Sequence, residues 1–133
     1  MKTRVKNKTP VQVIRVEKDK TANRRDYLAT EEPLELRLIA GQSRQIQQKQ
    51  TLAITMRTPG NDFELAAGFL LAEGIVSSPE DIKRISYCVD KDLREGQRYN
   101  VVNILLSANE LPELERLVRH FYVSSSCGVC GKA

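Results

Sequence analysis

Three stretches of this 133-residue sequence predict a mixed α/β fold, an α+β sheet flanked by helices. Leu34, Leu36 and Leu38 alternate with Glu35 and Arg37, the two-residue period of a strand with one buried face. Phe63, Leu65, Ala66, Ala67, Phe69, Leu70 and Leu71 crowd apolar residues onto nearly every side of a predicted helix. Val101, Val102, Ile104, Leu105 and Leu106 form the near-continuous apolar run expected of a central strand covered on both faces. A chain of this length buries roughly two-thirds of its unfolded surface, so its core needs no disulfide staples.

Taken in order, residues 1–10 are polar and basic and read as a frayed tail. Val11–Glu17, dominated by β-branched residues, reads as a first strand. Lys18–Arg25 is a polar loop, so residues 1–30 form an N-terminal tail and strand ahead of a body at 31–133. The strand through Leu34–Leu38 is expected to turn at Gly41-Gln42. Leu52, Ile54 and Met56 alternate until Thr58-Pro59-Gly60 breaks the chain, which suggests a three-stranded antiparallel start. Asn61 and Glu64 have the spacing of a helix N-cap and its reciprocal acid, and Gly74 suits the left-handed residue past the last turn. Together they bound a helix of about twelve residues, packed on most sides. Ser78-Pro79-Glu80-Asp81 opens a short helical turn. Arg84–Val89 and Tyr99–Leu106 are strands around a charged loop. Leu111, Leu114, Leu117, Val118 and Phe121 fall at helical spacing, with Glu110 and Glu113 at the start and Arg116, Arg119 and His120 at the end, as the helix dipole favours.

Composition narrows the function classes. The three cysteines are an odd number, and the first ten residues hold no apolar signal segment, so the chain reads as reduced and cytoplasmic. The most apolar run, Leu65–Ala72, is far short of the roughly eighteen residues of a membrane helix. A net charge of +4 comes from dispersed Lys and Arg, aromatic residues are 5%, and no nucleic-acid motif is visible. Neither a nucleic acid nor a membrane is expected as partner.

The chemistry is expected in Ser124-Ser-Ser-Cys127-Gly-Val-Cys130-Gly-Lys132. A cysteine reacts as thiolate, and at a pKa of about 8.5 only about 3% is ionised at pH 7. Three serines able to cap a helix start and the charge of Lys132 both favour the anion. Redox pairs, zinc half-sites and persulfide carriers all use this spacing. Cys88, His120, Cys127 and Cys130 would complete a zinc-stabilised binding module, although a histidine at the end of an amphipathic helix is more often solvated or dipole-facing. Cys88, in a predicted strand, has a plainer reading as a small buried apolar residue. A thioredoxin-type pair sits early in its domain, and a zinc deaminase needs His-x-Glu before Pro-Cys-x-x-Cys. Here Phe121 and Tyr122 follow His120, and Ser126 stands where the proline would be.

Three spaced blocks together resemble the FdhD family: Glu31-Glu32-Pro33-Leu34-Glu35, the stretch from Thr55-Met-Arg-Thr-Pro-Gly60 to Glu73-Gly-Ile75, and Ser124–Lys132. The resemblance spans residues 31–132. It implies a sulfurtransferase with a cytidine deaminase-like fold, a carrier that takes persulfide sulfur from a cysteine desulfurase. The sulfur passes to the bis-molybdopterin guanine dinucleotide form of the molybdenum cofactor, bound as cargo, before that cofactor enters formate dehydrogenase. Cys127 matches the persulfide-bearing cysteine. Cys130 is the second thiol, either attacking the loaded sulfur or tuning its neighbour, and no structural metal is expected. Arg57 and Lys132 are the candidate cofactor-binding cations, each with the alternative of an ordinary surface charge. Glu31 and Glu32 either orient a loop or are solvated. The sequence stops soon after Cys130 where the family continues, which suggests a fragment with two possible consequences. Either apolar surface near Val101–Leu106 is left open and drives association into a homodimer, or the chain folds incompletely.

Overall fold

A computed structural model describes residues 7–43, 45–88, 99–113 and 131–132. The chain divides into two compact units: Met1–Glu32 with Arg57–Gly60, and Pro33–Met56 with Asn61–Ala133.

The first unit is built on an antiparallel ribbon of β1 (Lys8–Glu17) and β2 (Lys20–Ala29), in register from Glu17↔Lys20 to Lys8↔Ala29. The expected loop at Lys18–Arg25 is therefore only a two-residue turn, and most of it is strand. Lys18 and Asp19 have φ of 44° and 66°, the pair of left-handed residues that a tight hairpin of this twist requires. Neither is glycine, so the sequence gives no turn signal, and the polar β2 shows no buried face to betray a strand. The amide of Thr30 donates to the Asn7 carbonyl at 3.1 Å, which places the hydrogen-bonded pairs at the odd positions of β1. Pro10 consequently occupies a non-bonded position opposite Tyr27, where its missing N–H faces away from β2. Residues 8–10, expected to fray, belong to this strand.

The second unit is a five-stranded sheet in the order β5-β6-β3-β4-β7, formed by β3 (Glu32–Ser43), β4 (Ile46–Arg57), β5 (Ile82–Tyr87), β6 (Val101–Leu106) and β7 (Gly131–Lys132). β6 runs parallel to β3 and antiparallel to β5, and β7 is antiparallel to β4. The sheet is mixed, as expected. The three-stranded antiparallel start is not formed, because β1 pairs with β2 in a sheet of its own.

Leu34, Leu36 and Leu38 are fully buried and pack with Val102, Ile104 and Leu106 of β6 and with Ala66 and Leu70 of the helix α1 (Asp62–Ala72). Each such leucine contributes about 2 kcal/mol of apolar burial. β6 is covered, so the open apolar surface expected near Val101–Leu106 is absent. α1 is packed less completely than its composition suggests. Asp62, Ala66 and Leu70, one helical turn apart, are buried, while Phe63, Leu65 and Leu71 remain exposed. Asn61 stands at the N-cap as expected and its carbonyl accepts the Leu65 amide, but its side chain makes no capping hydrogen bond. At the other end Gly74 has φ of 69°, its amide donates to Leu71 and that of Ile75 to Leu70. This is the paired closure of a Schellman motif. The turn at Pro79–Asp81 is a 3-10 helix closed by a capping box between Ser78 and Asp81.

Gly41 does not turn the chain, since β3 continues to Ser43. Its φ is 147°, and a Cβ there would sit 2.0 Å from the Ile46 carbonyl oxygen, so glycine is required by close backbone approach. In β4 the neighbours Leu52 and Ala53 are both buried and Met56 is exposed, a departure from simple alternation. Leu111–Glu113 are irregular, and the rest of the helix predicted to Phe121 lies outside the described residues, as do Val89 and the charged loop. Among the described residues no helix is long and apolar enough to cross a membrane.

The two glycines differ in a testable way. Gly41→Ala should lower stability in urea by about 3 kcal/mol, because backbone must move. Gly74→Ala, strained in φ but with nothing within 4 Å of the new carbon, should cost about 1 kcal/mol. Equal losses would refute the close approach at Gly41.

Candidate functional site

Cys127 and Cys130 lie outside the described residues, but the chain immediately after them is placed. Gly131 pairs with Ile54 and Lys132 with Ala53, so the segment leaving Cys130 is tied to β4 as the edge strand of the sheet. Extended β4, buried at Leu52 and Ala53, is a rigid rail for it. Lys132 is thereby located by its backbone.

Arg57, the last residue of β4, is not the surface charge it could have been. It is 7% exposed, and its Nη1 lies 3.4 Å from both the carboxylate and the carbonyl oxygen of Glu32. Of the two acids considered in the sequence, Glu32 thus orients a buried cation, while Glu31 is exposed.

Cys88 is buried, as its plainer reading anticipated, yet it has a charged neighbour. Arg37 Nη1 approaches its sulfur at 3.9 Å, and the Cys88 amide donates to the Val101 carbonyl at 2.9 Å. A guanidinium at the sulfur opposes the approach of a zinc ion. Of the four candidate zinc ligands only Cys88 is described, and among the described residues no three His, Cys, Asp or Glu side chains converge on one point.

Two polar constellations were not foreseen. On the face of β3 opposite the leucines, Arg37 grips Glu35 through two bonds of 2.6 and 3.0 Å, and Thr51 Oγ1 donates to the same carboxylate at 2.6 Å. The Arg37 bond is the main cause that holds the Glu35 carboxyl below the usual carboxylate range, against the opposing effect of burial. In the second constellation Asp62, 3% exposed, accepts the Tyr87 hydroxyl at 3.0 Å. Tyr87 in turn packs its ring against Phe63 at 4.9 Å and Tyr99 at 5.3 Å. The only sequence signal for the first was the charged alternation in β3. Asp62 carried a weaker one, as the first member of the helical series Asp62, Ala66, Leu70.

A small hollow of about 240 Å³, lined by Ile75, Val76, Leu106 and Pro112 with Asp81 and Glu110, contains none of the predicted site residues.

Comparison with known proteins supplies the context for this geometry. The family model described as FdhD/NarQ matches residues 29–133. The Mycobacterium tuberculosis protein named sulfur carrier protein FdhD is 43% identical over 118 residues, 86% of this chain and 40% of that one. Proteins of the same name from Streptomyces coelicolor and Sulfurisphaera tokodaii are 43% and 39% identical over 91% and 92% of the chain. The chain spans about 40% of the length of these curated relatives. A crystal structure from Desulfotalea psychrophila, described as a formate dehydrogenase accessory protein, superposes with a TM-score of 0.57 at 15% identity. It covers 90% of this chain and 44% of that one, which establishes a shared fold.

The Glu35–Arg37 pair makes stability pH-dependent. A carboxyl whose folded pKa is depressed stabilises fully above its unfolded value of about 4.3 and loses that contribution as pH falls through the lower folded value. Glu35→Gln should therefore be less stable than wild type at pH 7, with the two urea midpoints converging as pH falls below about 4. Curves that stay parallel would show that Glu35 is not the titrating group.

Proposed function

Because the chain belongs to the FdhD/NarQ family, matched over residues 29–133, we propose that it acts in sulfur transfer for formate dehydrogenase maturation, with Cys127 as the sulfur acceptor. The observation that supports this reading most directly is the pairing of Gly131-Lys132 with β4, which fastens the residues just after the Cys-x-x-Cys to the sheet, with β7 the edge strand among the described residues.

The Cys127 thiolate attacks the outer sulfur of a persulfide on a cysteine desulfurase. A new S–S bond forms at Cys127, the donor's S–S bond breaks, and the donor cysteine leaves as thiolate. Gly128 and Gly131 leave room for a bulky donor. In delivery, Cys130 attacks the inner sulfur of loaded Cys127 and expels hydrosulfide toward the molybdenum of the bis-molybdopterin guanine dinucleotide, which is the substrate here. That step leaves a Cys127–Cys130 disulfide, which a dithiol reductant must reopen. Lys132 is the cation we assign to the cofactor's phosphates, whereas the Arg57 side chain, buried and held on Glu32, is assigned to orienting its own loop.

Incubation with a cysteine desulfurase and cysteine should add one sulfur atom to the intact mass. Cys127→Ser should abolish the adduct and Cys88→Ala should retain it. Cys130→Ser should load normally but release sulfide at least about tenfold more slowly. Lys132→Gln should leave loading unchanged and weaken retention of the cofactor. Loading of Cys127→Ser to the wild-type level would refute the assignment.

A further inference from the structure

The β1–β2 ribbon lies almost wholly ahead of the segment that the family model matches, although the alignments with the Streptomyces coelicolor and Sulfurisphaera tokodaii proteins extend into it, and the sulfur chemistry proposed above assigns it no role. An isolated two-stranded ribbon is at best marginally stable in water, and this one leaves large apolar side chains uncovered. Ile14 and Val16 are 68% and 71% exposed, Tyr27 and Leu28 60% and 58%. It is also basic, with Lys8, Arg15, Lys18, Lys20, Arg24 and Arg25 against Glu17, Asp19 and Asp26. Arg15 lies 3.5 Å from Glu17, whereas among the described residues Arg24 and Arg25 have no ion-pair partner. Charged residues on an edge strand ordinarily serve to keep it solvated. Adjacent exposed tyrosine and leucine do not fit that purpose.

The register identifies which edge is open. With the bonded pairs at odd positions of β1, the amides and carbonyls of Thr21, Asn23, Arg25, Tyr27 and Ala29 point outward from β2. Among the described residues this edge has no strand beside it. The outer edge of β1 is interrupted by Pro10, which has no N–H, while that of β2 is unbroken.

We propose that the outer edge of β2 docks an extended acidic segment of another protein by strand addition. Antiparallel pairing places the incoming residues opposite Leu28, Tyr27, Asp26, Arg25 and Arg24 in turn. Those positions call for two apolar residues, one of any kind, and then two carboxylates. Successive residues alternate between faces, so each face offers the ligand one arginine and one apolar contact. A second copy of the chain is a poor occupant. Outward-pointing residues must pair with outward-pointing residues, and registers centred on 24, 25 or 26 set Arg24, Arg25 or Asp26 against itself.

The test is fluorescence anisotropy of a labelled peptide containing Leu-Val-Lys-Glu-Glu, titrated with the 133-residue chain. Saturable binding that weakens with salt is expected, reduced about tenfold or more by Arg24→Glu with Arg25→Glu. Arg25→Pro should abolish it where Arg25→Ala only weakens it, since the proline also removes the outward N–H that the peptide's first Glu meets while leaving the ladder to β1 intact. N-methylation of the peptide at Val and the first Glu, which face the outward groups of Tyr27 and Arg25, should do the same with the protein unaltered. The proposal is overturned by no binding, by equal binding of a Lys-Lys or scrambled peptide, by indifference to N-methylation, or by equal displacement with a single-stranded oligonucleotide. That last result would mark the ribbon as a surface for any polyanion.

Discussion

β3 is the constraint on which the second unit depends. Its two-residue period sends Leu34, Leu36 and Leu38 into the core and Glu35 and Arg37 to the opposite face, and it lies between β6 and β4. A slip of one residue would bury two charges and expose three leucines, so the register is fixed by several kcal/mol on each side. The parallel pairing with β6, the core that Leu34–Leu38 share with β6 and α1, and the place of β4 all follow from that choice. Through β4 the constraint reaches the two residues that follow Cys130, because β4 is the strand that pairs with Gly131 and Lys132.

The opposite face of β3 does a second job. A bidentate Glu35–Arg37 pair leaves the guanidinium close to Cys88, so this cysteine is enclosed beside a cation, while Gly131 and Lys132, the two residues that follow Cys130, are paired with β4. Buried thiols are kept from solution reagents and accessible ones are not. Burial of Cys88 therefore suits it to packing rather than to exchange chemistry.

Features fixed by local periodicity were legible in the sequence. The leucine alternation of β3, the limits of α1 with Gly74 at its end, and the buried run of β6 all depend on neighbours within a few residues. Of the ribbon, the first strand at Val11–Glu17 was legible, but its partner and turn were not, because Lys18 and Asp19 adopt left-handed φ without glycine and β2 has no buried face. Gly41 was misread for a related reason. A glycine can mean a turn or a close approach, and only the position of the Ile46 carbonyl distinguishes them. α1 is apolar all round, a pattern that cannot say which side will be covered. In the site, the cysteine spacing and the order of the three motif blocks pointed to sulfur chemistry. The partners Glu32 and Arg57, and likewise Asp62 and Tyr87, are 25 residues apart and meet only through the fold.

The central claim is that the thiol at position 127 is a ready nucleophile. The rate of its alkylation by iodoacetamide as a function of pH, followed by peptide mass spectrometry in a Cys88→Ala background, measures this directly. The account predicts an apparent pKa clearly below the free-thiol value of about 8.5, with Cys130 titrating later. A value at or above 8.5 for Cys127 would contradict it.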